Sequence, residues 1–475
     1  MPKPDGYDAV IVGSGPNGLA AAITLARAGR RVLVREAAPT VGGGTRSGEL
    51  TLPGFVHDIC SSVHPLGVAS PFFRKLPLAD YGLRWIWPIS SFAHPLDDGT
   101  AMLLERSVQA TAETLGPDGA AYERIMSPLV ADWPLILPTI LGPLRLPRHP
   151  IAMARFGLPA LATATALASL LFSGPRAKAL FAGAAGHSML PLDRPITGAY
   201  GLLFAMSGHA VGWPVAAGGS QRIADALAAY LRHLGGEIVT GEPVLRLSEL
   251  PTARAIFCDI TPTQLVSMAG DRLPAGYMKQ LGRYRQGPGV FKLDWALDGP
   301  IPWRAPECAR AATVHLGGTI EEIAAGEAAV ARGEHPLRPY VLAVQSSLFD
   351  LSRAPDGRQT VWAYCHIPNG SNFDMSARIE AQLERFAPGF RDRVLARHIT
   401  TPAALQAYDM NYIGGDINGG AQDWRQLFTR PVPSLRPYRT PVRGLYICSS
   451  STPPGGGVHG MCGYWAARTA LGDGF

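Results

Sequence analysis

The chain has 475 residues, too many for one ordinary hydrophobic core, so two or three structural units are expected. Apolar residues make up 47% and charged residues 17%, which describes a globular but rather apolar chain. The net charge is +6, yet the arginines are scattered and no lysine-rich block occurs, so nucleic acid is excluded as a partner.

The six cysteines lie far apart and none forms a CxxC pair. This spacing argues against a disulfide reductase and against a zinc site, so no metal is predicted. It favours reduced thiols in a cytoplasmic protein. The first apolar run begins about seven residues after Met1, and we therefore expect no signal peptide.

The strongest pattern lies near the N-terminus. The apolar, β-branched run from Tyr7 to Val12 is typical of a buried parallel strand, and GSGPNG with the GxGxxG spacing follows it. Gly13 allows a tight turn, Gly15 allows a pyrophosphate to approach the backbone, and Gly18 allows close packing of the next helix. That helix is predicted over about Asn17 to Ala28, with its N-terminal amides available to phosphate.

A second strand, Arg31 to Arg35, leads to Glu36, where a carboxylate can bind the ribose hydroxyls of a dinucleotide. The strand, glycines, helix and acid together predict a dinucleotide site. Gly42 to Arg46, GGGTR, forms a further glycine-rich turn that NAD-binding folds do not need and that two-dinucleotide-domain flavoproteins carry near the diphosphate and ribityl chain. An ordinary surface loop is the alternative interpretation of this turn.

The next part of the chain is apolar. Asp97-Asp98-Gly99 indicates a hairpin turn, and helical character from Arg106 to Tyr122 is interrupted at Gly116-Pro117. From Pro128 to Phe172 we predict several short helices, forming either the wall of an apolar pocket or a subdomain packed for stability. Within it, Phe156 to Phe172 is uncharged but only seventeen residues long, which favours a buried or membrane-grazing helix over a membrane span.

A helix and a strand that would complete the nucleotide domain follow this apolar part. Ile223, Leu227 and Leu231 share one helical face before Gly235-Gly236 ends the helix, and a strand is predicted near Ile238. Because these elements of the nucleotide domain come late in the sequence, the substrate-binding part is predicted to be inserted into that domain.

The part of the chain from about Met268 to Leu405 is predicted to form a mixed sheet. In the alternating run from Gly287 to Trp303, Lys292 and Asp294 face one side and Leu293 the other. Near the C-terminus, Asn411 to Gly420 is too glycine-dense for a regular element and suggests backbone close to a flat ligand. A strand from Leu445 to Cys448, a glycine-rich loop and a helix from about Met461 repeat the arrangement of an anion and flavin site.

With these motifs in view, the chain resembles the phytoene desaturase-like flavoproteins of the amine-oxidase superfamily. It is most similar to the branch called pyridine nucleotide-disulfide oxidoreductase domain-containing protein 2. The resemblance rests on GSGPNG with Glu36, GGGTR, VHPLG from Val63, GHAVGWPVAAGGSQ from Gly208, GGDINGG from Gly414 and SSSTPPGGGVHGMCGY from Ser449. Despite the name of that branch, no redox disulfide motif is present.

The resemblance implies an α/β fold with a discontinuous Rossmann-like FAD-binding domain, residues 1–98, 205–268 and 406–475. The substrate domain, residues 99–204 and 269–405, combines a mixed sheet with an apolar helical lobe over about 128–186. One non-covalent FAD is implied, and Ser450 stands where many superfamily members have an acidic residue. The residues expected to bind the cofactor are Gly13, Ser14, Gly15, Pro16, Gly18, Glu36, Gly43, Gly44, Thr45, Arg46, Val244, Ser450, Gly457, Val458, His459 and Met461.

Candidates for acid and base catalysis each have a structural alternative. Lys292 interrupts an apolar strand, and amine-oxidase relatives place a lysine near flavin N5; its amine could equally reach solvent at a sheet edge. His64 and His459 could polarise the flavin or move a proton, or simply bond loop backbone. Asp416 could bind flavin or substrate, or hold a glycine-rich turn.

The resulting hypothesis is FAD-dependent oxidation, with desaturation and hydride transfer to flavin N5, of a hydrophobic small molecule. The electron acceptor is left open among oxygen, quinone and NAD(P), as are peripheral membrane contact and a homodimer. The rival hypotheses are a redox-neutral flavin isomerase or hydratase, and a non-catalytic flavoprotein that binds a partner.

Overall fold

The computed structural model describes residues 6–270 and 272–475. The strands, in chain order, are β1 (Tyr7–Val12), β2 (Val32–Arg35), β3 (Ser47–Glu49), β4 (Val56–Asp58), β5 (Trp85–Ile86), β6 (Ser90–Pro95), β7 (Ala101–Leu104), β8 (Val215–Ala216), β9 (Glu237–Val239), β10 (Ala253–Cys258), β11 (Gly289–Leu297), β12 (Ala311–Leu316), β13 (Val341–Val344), β14 (Gln359–Ile367), β15 (Val394–Thr400) and β16 (Leu445–Ile447).

The α-helices, in the same order, are α1 (Pro16–Ala26), α2 (Pro65–Ala69), α3 (Val108–Glu113), α4 (Gly119–Ala131), α5 (Trp133–Ile140), α6 (Pro150–Ala160), α7 (Ala164–Leu171), α8 (Pro175–Gly186), α9 (Thr197–Ala210), α10 (Gln221–His233), α11 (Pro262–Ala269), α12 (Ala275–Leu281), α13 (Ile320–Ala331), α14 (Ser376–Phe386), α15 (Pro402–Tyr408), α16 (Trp424–Leu427) and α17 (Met461–Gly472).

A five-stranded parallel sheet carries the N-terminal motif, in the order β16-β10-β1-β2-β9. Its central strand β1 is the apolar run that precedes the glycines, and residues 9–12 are buried as a central parallel strand requires. Helix α1 packs between α17 and α10. A Cβ at Gly463 in α17 would overlap the Asn17 carbonyl, so the first and last helices touch backbone to backbone.

The second sheet has seven strands in the order β15-β11-β14-β13-β12-β6-β7. Its pairings are antiparallel except that between β12 and β6. Every residue of β11 is buried, and Phe291, Leu293 and Trp295 pack into the core between this sheet and α14. The predicted hairpin turn at residues 97–99 joins β6 and β7. The Leu96 amide donates a hydrogen bond to the Thr100 carbonyl at 2.8 Å, and the Leu96 carbonyl accepts one from the Gly99 amide at 3.2 Å.

The end of α4 and helices α5 to α8 occupy residues 128–186, the range given above for the apolar helical lobe, and α9 packs against α8. The prediction of a single helix from Phe156 to Phe172 was wrong, because this run contains the end of α6 and all of α7. Helix α6 ends at Ala160, and the Thr163 side chain caps the start of α7 by accepting a hydrogen bond from the Ala166 amide. The two helices meet at 104°. Among the described residues no single helix has the length and apolar character of a membrane span, and this bent pair meets those criteria only when taken together.

The predicted α/β fold with a discontinuous nucleotide domain and a mixed-sheet substrate domain is confirmed. The strands of the parallel sheet come from three distant stretches of the chain: β1 and β2 from the first, β9 and β10 from the second, and β16 from the third. Strand β6 pairs with β12 in the seven-stranded sheet although it precedes residue 98. The segment boundaries given above therefore stay predictions.

Candidate functional site

One large cavity runs between the two sheets, with a volume of about 1370 Å³. Single-ligand pockets usually measure about 300–1,000 Å³, so there is room here for a dinucleotide together with a second molecule. The glycine-rich loop after β1 lines one end of the cavity, and side chains of the seven-stranded sheet and the helical lobe line the other.

The first glycine-rich loop is packed as a dinucleotide cradle requires. Gly13 has φ +99°, a conformation open to glycine. A Cβ at Gly15 would lie 3.0 Å from the Asp259 carboxylate, and one at Gly18 would overlap the Gly13 carbonyl. The loop therefore has no space for side chains at these positions, which leaves the backbone free to meet a diphosphate.

Glu36 lies at the end of β2, as predicted. Its carboxylate accepts hydrogen bonds from the Ser14 amide at 2.8 Å and the Ser14 hydroxyl at 2.6 Å. A third bond comes from the Ala38 amide at 2.8 Å. The Arg46 guanidinium lies 3.3 Å away. This buried carboxylate is thus held rigidly at the cavity wall, in the place where a ribose would be bound.

The second glycine-rich turn lies against the first, which rules out the ordinary surface loop. Gly43 and Gly15 approach so closely that a Cβ on Gly43 would be 3.2 Å from the Cα of Gly15. A Cβ at Gly44 would overlap the Tyr412 hydroxyl. The predicted residues from Gly43 to Arg46 all line the cavity.

The C-terminal loop closes the cavity from the far end of the sequence. Ser450 and the stretch from Gly456 to His459 line it, and Gly457 has φ +123°. Val244, another predicted contact, also lines the wall. Gly18 and Met461 do not; they lie at the starts of α1 and α17, buried behind the loops that they position.

Asp259 is a residue of this site that the sequence did not indicate. It follows β10, accepts a hydrogen bond from the Gly18 amide at 2.8 Å, and lines the cavity beside the first loop. Burial raises its pKa to about 7, against the opposing effect of the Gly18 amide, and the nearby Asp409 and Glu36 carboxylates raise it further. The available signal was the position after a central parallel strand, where ligands collect at the carboxyl edge of the sheet.

The other end of the cavity has an aromatic wall. Trp362 and Tyr364 of β14 stack with ring centroids 5.4 Å apart, and His187, after α8, lies edge-on to Trp213. The Nε2 atoms of His187 and the buried His315 are 3.0 Å apart. Burial lowers the pKa of His187 to about 3, so its imidazole is neutral at physiological pH. Sequence patterning gave no signal for these residues because they lie in different elements.

Lys292 is brought near the cavity but does not line it. Its ammonium lies 2.5 Å from both carboxylate oxygens of Asp294 and 5.6 Å from the ring centroid of Trp362. His57 Nδ1 is 3.5 Å from the same carboxylate. The lysine is thus a member of a buried ion pair behind Trp362, and it does not extend to solvent at a sheet edge.

Asp416 also lies outside the cavity lining. Its carboxylate accepts hydrogen bonds from the amides of Gly287 at 2.6 Å, Asn418 at 2.9 Å and Gly420 at 2.8 Å. These three bonds hold the glycine-rich turn of residues 414–420 against the start of β11, which is the structural alternative foreseen for this residue.

The two predicted histidines line the cavity and are both buried. His64 Nε2 is 2.8 Å from the Ser220 hydroxyl, and His459 Nδ1 accepts a hydrogen bond from the Met461 amide at 3.0 Å. Burial lowers the pKa of each to about 4. Both are therefore neutral at physiological pH, and each uses one ring nitrogen to hold its loop.

The fold and this cradle together define a Rossmann-like dinucleotide-binding domain joined to a second, mixed-sheet domain. Residues 11–76 match the family model described as an NAD(P)-binding Rossmann-like domain.

The resemblance noted from the motifs is also confirmed. The chain is 27% identical to the mouse protein pyridine nucleotide-disulfide oxidoreductase domain-containing protein 2, over 99% of this chain and 94% of the relative. A solved oxidoreductase from Methanosarcina mazei superposes with a TM-score of 0.66 at 17% identity, covering 98% of this chain and 99% of that one. A putrescine oxidase variant superposes with a TM-score of 0.62 at 18% identity, covering 98% and 99%.

Proposed function

We propose that this protein is an FAD-dependent oxidoreductase that dehydrogenates a hydrophobic small molecule. The observation that carries the proposal is one continuous cavity, which joins the glycine cradle to an apolar end lined by Trp213, Trp362 and Tyr364, here called the chamber. A dinucleotide placed along the cradle would leave the chamber for a substrate. The likeness to an oxidoreductase and an amine oxidase in fold supports the same class of reaction.

The residues present fit FAD. The Cβ-free loop at Gly13 and Gly15 would receive the diphosphate, Glu36 the adenosine ribose, and the turn at Gly43 and Gly44 the middle of the cofactor. An NAD-binding fold needs no second glycine-rich turn pressed against the first. Bound there, FAD would supply a two-electron acceptor for a hydride from a substrate C–H bond.

The chamber residues would orient the substrate and exclude water. Trp213, Trp362 and Tyr364 offer flat apolar surfaces, and helices α6 and α9 add the apolar side chains of Phe156 and Leu203. Desaturation also releases a proton from the carbon beside the oxidised one, and this proton needs an acceptor. His187 is neutral and in contact with the chamber, and His315 behind it can share the proton through the Nε2–Nε2 contact.

The first experiment follows the cofactor. We expect the purified protein to be yellow, to bleach on anaerobic photoreduction, and to recover its absorbance with one of oxygen, quinone or NAD(P)⁺. Mass spectrometry of the extracted ligand would identify the substrate class. A colourless protein that binds no FAD on reconstitution would contradict the proposal, and turnover without any electron acceptor would indicate an isomerase or hydratase instead.

The role of His187 is tested with the compound so identified. We expect His187→Gln to slow flavin reduction by substrate roughly a hundredfold, the usual scale of general-base catalysis. Reduction by dithionite should be unchanged, since that reaction needs no protein base. The exposed His149→Gln serves as control. An unaltered rate of substrate reduction in His187→Gln would remove this histidine from the mechanism.

A further inference from the structure

A group of large aliphatic side chains stands exposed on the helical lobe. On α6, Ile151 and Leu158 are seven residues apart and share the outer face, with exposed fractions of 78% and 73%. Leu146 in the preceding loop is 92% exposed. Burying such side chains is favourable by about 1.5–3 kcal/mol each, so a cluster of them indicates a surface that is covered in use.

The same lobe forms part of the rim of the cavity. Leu144 is 72% exposed and Leu161 is 59% exposed, yet both line the cavity. A residue that is at once exposed and cavity-lining marks an opening. The group, hereafter the apolar rim, consists of Leu144, Leu146, Ile151, Leu158 and Leu161.

Basic residues accompany the apolar rim, and acidic residues are missing from the segment. Between Trp133 and Leu192 the sequence contains no aspartate or glutamate, whereas it contains five basic residues: Arg145, Arg148, Arg155, Arg176 and Lys178. Arg155 pairs with Asp132 just outside this segment. Arg145 donates to the Pro138 carbonyl, and its guanidinium lies over the Trp465 ring. Arg176 instead bonds Thr100 and the Ala101 carbonyl at the β6–β7 turn. The basic residues next to the rim in sequence are therefore Arg145, Arg148 and Arg155, and they favour an anionic partner.

We propose that the apolar rim docks on the surface of an anionic lipid bilayer. Exposed leucine and isoleucine side chains would enter the boundary between headgroups and acyl chains, while the surrounding arginines would meet lipid phosphates. The right-angle bend between α6 and α7 keeps the pair from crossing the bilayer as one rod. The cavity mouth would then face the lipid, giving an apolar ligand a path that avoids water. Docking itself does not depend on the proposed oxidation.

The test measures co-sedimentation of the full-length protein with vesicles. We expect binding to phosphatidylcholine vesicles that contain phosphatidylglycerol, weaker binding to phosphatidylcholine alone, and loss of the difference at high salt. The combined variant Leu146→Glu, Ile151→Glu, Leu158→Glu should lower the partition coefficient by at least about a hundredfold, since three side chains that would enter the bilayer are replaced by charges. Arg148→Glu should selectively reduce the preference for phosphatidylglycerol.

The matched control is the variant Leu337→Glu, Leu351→Glu, Leu435→Glu, whose three leucines are 78%, 83% and 96% exposed outside the apolar rim. Both triple variants should keep the thermal unfolding midpoint and cofactor content of the parent, because all six side chains are exposed. Equal loss of vesicle binding in both, or no binding by the parent protein, would overturn the proposal. So would a dimer in light scattering that only the rim variant dissociates, with no lipid binding, since a second copy would then cover the rim.

Discussion

Gly15 is the residue of the first glycine-rich loop whose missing side chain leaves room for a diphosphate at the cavity wall. A Cβ there would be 3.0 Å from the Asp259 carboxylate and would occupy space needed by a diphosphate. We expect Gly15→Ala to weaken FAD binding at least roughly tenfold while shifting the unfolding midpoint of the apoprotein little. Fluorescence titration with FAD and thermal unfolding measure the two effects. Gly276→Ala, in α12 with open space around it, is the control. Equal affinity in both variants would contradict this placement of the diphosphate.

Asp259 makes cofactor binding depend on pH. Its pKa of about 7 lies above the ordinary aspartate value of 3.8, so the folded protein holds the proton until pH rises through 7. A bound diphosphate favours the neutral acid further. FAD affinity should therefore be highest below pH 7 and roughly tenfold lower at about pH 8, and Asp259→Asn should flatten this dependence. Titrations across this range check it, and an equally steep profile in Asp259→Asn would assign the effect elsewhere.

Strand β11 illustrates how an element can carry a structural ion pair beside a site. Lys292 and Asp294 point the same way along the strand, contact each other, and are 2% and 0% exposed. Removing one partner leaves a buried charge, so Lys292→Met should destabilise the protein by about 3 kcal/mol, and the double variant with Asp294→Leu should recover much of this. Urea unfolding measures both, with the exposed Lys279→Met as control.

The alternative role of Lys292 at the flavin has a different readout. If the lysine acts on the reacting atoms through the cavity wall, the rate of flavin reduction should fall in the single and double variants alike. If it only stabilises β11, the rate should follow the folded fraction of each variant and recover in the double one. Comparing the rates at temperatures where each variant is fully folded separates these outcomes.

Elements with strong local signals could be predicted from the sequence. Strand β1, the glycines after it and Glu36 are neighbours in the chain, and so are β16, its loop and α17. The break between α6 and α7 was missed because it depends on one threonine cap within an otherwise apolar run. His187 and His315 were missed because only tertiary packing brings their side chains together at the cavity wall. Spacing along the chain contains no record of it.

At the scale of the molecule, a buried polar cluster joins the nucleotide-binding part to the second sheet. Arg353, in the loop between β13 and β14, forms an ion pair of 2.6 Å with Asp58 at the end of β4. Asp58 also accepts hydrogen bonds from the Ser220 amide at 2.8 Å and the Ser62 hydroxyl at 2.5 Å. Ser220, in turn, contacts His64 at the cavity wall. The contacts between these segments, which are distant in sequence, therefore depend on the carboxylate of Asp58.

This cluster should give the whole protein an acid-sensitive stability. Burial alone would raise the pKa of Asp58, but Arg353 and the hydrogen bonds lower it to about 2, below the ordinary aspartate value of 3.8. The pair therefore stabilises the fold fully above pH 3.8, and this contribution is lost as pH falls toward 2.

We expect Asp58→Asn to reduce the free energy of unfolding by about 3 kcal/mol at neutral pH, because Arg353 stays buried without its anion. The variant should also flatten the acid limb of the stability curve. Urea unfolding between neutral pH and pH 2, with the exposed Asp356→Asn as control, measures both effects. An acid limb as steep in Asp58→Asn as in the parent would show that other carboxylates hold the two parts together.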